Sequence, residues 1–318
     1  MLIRSPLRVS LVGGGSDLRY FYESNLAQSL GFSINKYVYV YEDNFIKNKI
    51  NLITSSESIV TDDYNLIKNE ILKGFIKKFK INSKKYVIFS DLFSGTGLGS
   101  SSALTVNLMY ALSAQNQNKS YFAEEAFKLE EEISGSTVGK QDHYFSAFGG
   151  FNQFTYLNNS SVKVKKINLT KKQIKNITNH MLLIKVGTSR KAYEILYDQK
   201  NNINTSYSAK ESLREIVSLV DGASKALINN DFRELGAIVN KSWSLKKRLS
   251  RYISNREITK LENKLKTKKI YGGKLLGAGG SGYYLVIASK KIIEDIKLEF
   301  DDRILKFEVD MNGTKIIS

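Results

Sequence analysis

The chain has 318 residues, with 48 Lys+Arg against 31 Asp+Glu for a formal charge of +17, 42% hydrophobic residues, no Cys and one Pro. That length suits two domains or one large one, and the hydrophobic content, with 16 Phe and 18 Tyr, supports a buried core rather than general disorder. The lack of Cys excludes a disulfide scaffold, a Cys-ligated zinc or iron–sulfur site and a thiol nucleophile; two histidines, His143 and His180, exclude a multi-His metal centre.

In chain order, Leu2–Val12 alternates like a strand and breaks at Gly13-Gly14-Gly15. It carries no apolar signal-peptide block, and no apolar run approaches the ~20 residues of a membrane span, so the chain reads as soluble and cytoplasmic. Lys36–Tyr41 predicts a strand, Leu66–Phe79 a helix and Tyr86–Phe89 a short strand. Ser100–Ala114 reads as a buried helix opening out of a Gly-rich loop, and Tyr121–Ile133 as an amphipathic helix with clustered acids. Phe151–Tyr156, Val162–Ile167 and Met181–Val186 read as strands; helices follow between Ala192 and Lys269. Strands near Ile270–Leu276 and Tyr283–Ala288, a helix over Lys290–Phe300 and a strand at Ile304–Val309 complete the pattern. Polar residues gather near 160–180, which divides the chain into 1–170 and 171–318 in a mixed α/β or α+β fold.

Charge divides the same way. Residues 1–160 hold 16 basic and 15 acidic side chains, whereas 161–318 hold 32 and 16. A basic half suits nucleic acid or an anionic small substrate, although abundant Lys, Asn and Ile also fit an AT-rich coding sequence. The best nucleic-acid stretches are Lys163–Lys166, Lys171-Lys172 and Lys246-Lys247-Arg248, but their lysines are not interleaved with aromatics in a recognition pattern.

Gly95-Thr96-Gly97-Leu98-Gly99-Ser100-Ser101-Ser102 lies between strand and helix. Its glycines let the backbone approach a ligand, and a helix N-terminus following them offers N–H groups to phosphate. Three successive serines exceed what one cap requires. No stretch is a P-loop; Gly135–Gln141 falls one residue short. Gly277–Gly282 matches G-x-G-x-x-G but leads into a strand, so a dinucleotide fingerprint fails on context, leaving a turn close to a phosphate or another backbone. Gly139-Lys140-Gln141-Asp142-His143 gathers charged groups before an apolar stretch and could orient a hydroxyl and accept its proton.

Together these segments resemble a known set. Pro6–Asp17, Gly97–Ala103 and Leu276–Gly282 are similar to the three motifs of the GHMP small-molecule kinases, in the family's order. The resemblance implies an N-terminal ATP-binding domain with a left-handed βαβ unit, a ferredoxin-like C-terminal domain and an active site between them. Within the family, the triple-Gly turn and Gly139–Asp142 look most like the kinases that phosphorylate the anomeric O1 of D-glycero-D-manno-heptose 7-phosphate, feeding GDP-heptose synthesis for surface polysaccharide. Gly14-Gly15 stands where galactokinases carry Glu-His, leaving room for a larger or phosphorylated sugar; a kinase of a neutral sugar such as fucose or galactose is the alternative.

Carried over residue by residue, the resemblance makes Asp142 the catalytic carboxylate and Arg8 its partner. Gly95 to Ser102 hold ATP. Ser101 and Glu130 hold Mg²⁺, with Glu131 second to Glu130. Gly14, Gly15, Ser16, Asp17, Lys140, Gln141 and Gly279 bind substrate, and Arg190, with Lys191 beside it, binds a sugar phosphate. The motifs depart from the family at Ser94, Ser102 and Ser281, where Pro, Ala and Gly are usual. Expected partners are ATP and a small sugar phosphate, without nucleic acid or membrane; a homodimer is an open expectation.

Overall fold

β1 (Leu2–Val12) is buried along most of its length and carries Arg8. A four-residue helix, α1 (Arg19–Tyr22), leads into β2 (Ala27–Asn44), much longer than the predicted Lys36–Tyr41. The short hairpin β3 (Ile50–Ile53) and β4 (Ser58–Thr61) gave no sequence signal. α2 (Glu70–Lys78) starts later than the expected Leu66, because the Asn69 side chain accepts the Leu72 N–H and fixes the N-cap there. β5 (Lys84–Ser90) follows, then α3 (Ser100–Leu112), α4 (Lys119–Ser134), α5 (Gln141–Phe148), β6 (Phe151–Tyr156) and β7 (Val162–Lys166).

The second half runs α6 (Lys171–Asn179), β8 (Met181–Val186), α7 (Ala192–Thr205), α8 (Tyr207–Ser218), α9 (Val220–Ile228), α10 (Phe232–Lys246), α11 (Arg256–Thr267), β9 (Gly272–Leu275), β10 (Gly282–Ile287), α12 (Lys290–Glu299), β11 (Ile304–Leu305) and β12 (Lys315–Ile316). The computed structural model describes residues 1–93, 95–113, 117–135, 137–187 and 192–318, without the side chains of 192 and 193.

The larger sheet has the order β12-β1-β2-β5-β3-β4, and β2 also pairs β6, which pairs β7. The smaller has the order β11-β8-β10-β9, antiparallel throughout. Taken as strands one to four of a βαββαβ unit, that is 4-1-3-2, the ferredoxin-like arrangement that the resemblance implies. The expected last strand is short because the chain leaves this sheet: Val309 bridges Ile34 of β2, and β12 pairs β1.

α3 is the central helix. Eight of its residues are buried, it is apolar nearly all round, and it packs on α4, α5, β1 and β2. One apolar core runs through both halves, with Trp243 of α10 among its largest buried side chains. The lysines of β7, Lys163, Lys165 and Lys166, are exposed on the last strand of the β2-β6-β7 branch, where charge discourages further pairing. No helix among the described residues is long and apolar enough to cross a membrane.

Candidate active site

The Gly-rich loop before α3 is set by its glycines. Gly95, Gly97 and Gly99 have φ of 79°, 74° and 82°, a left-handed backbone that other residues rarely adopt. Gly99 is the N-cap of α3, and no side chain caps the helix. The first-turn N–H groups therefore lack a side-chain partner at the positive end of the helix dipole, an arrangement suited to phosphate.

Both halves hold the loop. The Arg8 N–H donates to Leu98 O at 3.0 Å from β1, and the Tyr283 N–H donates to Thr96 O at 3.2 Å from β10. A Cβ on Gly97 would fall 2.5 Å from Leu276 O, and one on Gly277 2.5 Å from the Cα of Gly97. The third motif thus approaches another backbone, that of the second motif.

Asp142 lies at the mouth of this loop. A Cβ on Gly99 would sit 3.2 Å from Asp142 Oδ2. The Arg8 guanidinium donates to both carboxylate oxygens, Nε to Oδ1 at 2.7 Å and Nη2 to Oδ2 at 2.6 Å, while Nη1 donates to Gly97 O at 2.5 Å. A bidentate pair of this kind fixes direction as well as charge. Arg8 is 4% exposed at its side chain and Asp142 22%, so the carboxylate is the member that solvent or substrate reaches.

The first glycine turn brings a second carboxylate. Asp17 is buried, accepting the N–H of Gly15 at Oδ1 (2.9 Å) and that of Gln141 at Oδ2 (3.1 Å). Burial, then the charge of Asp142, raises its pKa above the ordinary carboxylate value. Gln141 packs its amide against Gly14 and accepts from Ser10 Oγ.

Glu130 of α4 points at the start of α3. Its Oε2 accepts from Ser102 Oγ at 3.0 Å and lies 2.7 Å from His143 Nε2. Burial opposes ionisation, but the hydrogen bond and charge of His143, with hydroxyls of Ser101 and Ser102, hold its pKa below the ordinary glutamate value. Glu131 instead pairs with Arg19, separating the two candidates. Among the described residues no cluster of three or more His, Cys, Asp or Glu side chains could hold a metal by itself. One ionised carboxylate beside the exposed Ser101 hydroxyl nevertheless fits Mg²⁺, which binds through one or two carboxylates and completes its shell with phosphate oxygens and water.

Several expected site residues have other partners. The Ser16 hydroxyl is buried on Gly13 O and Gln28 O, so it closes the turn instead of facing a ligand. Ser102 is spent on Glu130. Gly279 meets the backbone of Ile253. Lys140 was expected to bind substrate, but its ammonium is enclosed by both oxygens of Glu124, at 2.7 and 2.8 Å, and by Ser160 O. Burial makes that pairing compulsory and removes the charge from the cleft. Arg190 and Lys191 lie outside the described residues.

The basic run at 246–248 is not a surface patch either: Lys246 is buried on Gly277 O, and Lys247 pairs with Glu262. Sequence reasoning missed Lys246, Lys274, Gln199, whose amide nitrogen abuts Gly15, and the bond of His143 to Glu130. For Lys246 a signal existed, since Leu235, Val239 and Trp243 place it on the apolar face of α10 at helical spacing.

A kinase of small hydroxylated molecules is the class that this fold and cleft define, a phosphotransferase with an alcohol group as acceptor. The family model for the GHMP kinases N terminal domain matches residues 65–150 and that for the GHMP kinases C terminal matches 223–303, together just over half of the chain. The chain belongs to the GHMP kinase family, whose members use ATP as phosphate donor. It is 28% identical over 310 residues to a D-glycero-alpha-D-manno-heptose 7-phosphate kinase of Campylobacter jejuni, covering 91% of this chain and 90% of that one. A galactokinase of Thermotoga neapolitana is 23% identical over 353 residues, covering 100% and 98%. The fold superposes with TM-score 0.79 on a crystal structure described as a D-glycero-D-manno-heptose 1-phosphate kinase of Bacteroides thetaiotaomicron, at 21% identity and covering 100% and 99%.

Proposed function

We propose that the protein transfers the terminal phosphoryl group of ATP to the anomeric O1 of a sugar phosphate of the D-glycero-D-manno-heptose 7-phosphate class, giving the 1,7-bisphosphate for GDP-heptose and surface polysaccharide synthesis. The carrying observation is the Arg8–Asp142 pair at the mouth of a glycine loop whose helix has no side-chain cap. The Campylobacter relative and the small residues Gly14 and Gly15 support the acceptor class.

Phosphoryl transfer asks chiefly for positioning and neutralised charge. Gly95–Ser101 and the first turn of α3 cradle the ATP phosphates. The sugar oxygen bonds to the γ-phosphorus as the bond to the β–γ bridging oxygen breaks; ADP leaves with that electron pair, and the hydroxyl proton passes to Asp142. Arg8 holds and directs the Asp142 carboxylate. Asp17, Gln141 and Gln199 hydrogen-bond ring hydroxyls. Glu130 and Ser101 are the residues that would hold Mg²⁺, which neutralises phosphate charge when bound. On this reading residues 1–170 form the nucleotide-binding half and 171–318 the other, with the tail crossing back to β1.

One observation favours a neutral sugar instead: Glu124 occupies Lys140, removing an expected phosphate contact. ATP consumption across heptose and hexose phosphates and their unphosphorylated sugars decides. Preference for a heptose 7-phosphate supports the proposal, and turnover of free fucose or galactose alone overturns it.

A further inference from the structure

Among the described residues, two buried ammonium groups at the seam between the halves have no carboxylate bonded to them. Lys246, at the end of α10, is 7% exposed, and its Nζ donates to Gly277 O at 2.6 Å. Lys274 of β9 is 2% exposed and donates to Leu11 O of β1 at 3.2 Å. Among the described residues these carbonyls are the single acceptors of each group. An ammonium has three N–H donors, and a buried charge is costly unless paired.

The acids nearest Lys246 are engaged elsewhere. Asp142, on α5, is held at both oxygens by Arg8 of β1. Asp17, after the first glycine turn, accepts two backbone N–H groups. Burial first, and then the positive charge of Arg8, pulls the Lys246 pKa down to about 8 against the favourable charges of Asp17 and Asp142. Lys274 is driven well down by burial, then by Lys246 and Arg8.

Position indicates which anion is missing. Gly277, which accepts from Lys246, is pressed against Gly97 of the phosphate loop, and Gly97 O accepts from Arg8. Lys246 and Arg8 therefore grip adjoining carbonyls from opposite halves, beside the point where the loop meets Asp142. We infer that Lys246 is a catalytic residue of the phosphoryl transfer, its ammonium donating to oxygens of the terminal phosphate of ATP as that group moves to the acceptor. This rests on the site reading above but not on the choice of acceptor. Lys274 stands behind it as a further positive group and ties β9 to β1.

The test is steady-state kinetics of Lys246→Met and Lys246→Arg on whichever acceptor the wild type turns over best. Removing one preorganised donor to developing charge typically costs about 10²–10³ in turnover. Lys246→Met should show a loss of that order in kcat, with KM for the acceptor within about threefold and the unfolding temperature near wild type. The protonated amine is the active form, so wild-type kcat/KM for ATP, which reports the free enzyme, should fall as pH rises through about 8. Lys246→Arg, whose charge persists, should keep its rate there.

Lys246→Met turnover within threefold of wild type overturns the inference, as does a loss confined to acceptor KM or an alkaline limb that survives in Lys246→Arg. Should Lys246→Met fail to fold, the alkaline limb of Lys246→Arg decides alone. A wild-type enzyme that accepts only unphosphorylated sugars sinks the acceptor reading, and the same comparison on that sugar still decides the role of Lys246.

Discussion

Two ion pairs meet at the start of α5, two residues apart, and use their charges in opposite ways. Lys140 is enclosed: Glu124, Ser160 O and the Phe127 ring 4.8 Å away surround its ammonium, and Tyr144 Oη donates to the same Glu124 at 3.0 Å. Asp142 is held from behind by Arg8 and keeps a face toward the loop mouth. The difference is in what the partners leave over. Glu124 and its neighbours fill the coordination of Lys140, whereas Arg8 takes one side of Asp142. Charge in a cleft-lining segment is thus not evidence of contact with substrate until each donor and acceptor has been followed to its partner.

The largest expected effect falls on the open pair. Asp142→Asn should lower turnover by about 10²–10⁴, the range for general-base work, with the unfolding temperature little changed. Near-wild-type turnover would remove the functional half of the contrast. On the closed pair, Lys140→Met should cost roughly 3 kcal/mol in denaturant unfolding, since breaking a buried pair strands its partner, and Lys140→Met with Glu124→Leu should recover most of it. Turnover per folded molecule should stay within about threefold. A selective loss of activity on phosphorylated acceptors would return Lys140 to the substrate site.

A smaller effect sharpens the comparison at Asp17. Its folded pKa is raised by burial and by the charge of Asp142, so the fold loses stability as pH rises above the unfolded carboxylate's pKa. Asp17→Asn should therefore hold or raise the unfolding temperature while raising the sugar KM several-fold. A clear fall in unfolding temperature would show that the two backbone N–H bonds outweigh the buried charge.

Much of this was legible in the chain. Alternation at Leu2–Val12, the apolar run after Ser100 and the three glycine segments are local patterns, and they located the main strand, the central helix and the loop. α5 was less so: Gly139–His143 read as a charged cluster ahead of an apolar stretch and not as a helix start, because tertiary bonds to Asp17 and Arg8 fix the start of that helix. The β3–β4 hairpin is short and half-exposed, with little periodicity to read. Lys274 meets β1 from 263 residues away and Lys246 reaches the third glycine segment at Gly277, while composition makes both look like two more solvated cations among 48 Lys+Arg. The ranking of Glu130 over Glu131 gained its physical reason from tertiary partners, Ser102 and His143 for the former and Arg19 for the latter.

The contact between Gly97 and Gly277 carries a mechanical consequence. Since a strand amide of one half, that of Tyr283, is bonded into the glycine loop of the other, stiffening the loop stiffens the start of that strand. Nucleotide binding should slow hydrogen exchange at Tyr283 as well as at the loop itself, so the far domain registers an occupied cradle without any rigid-body rotation.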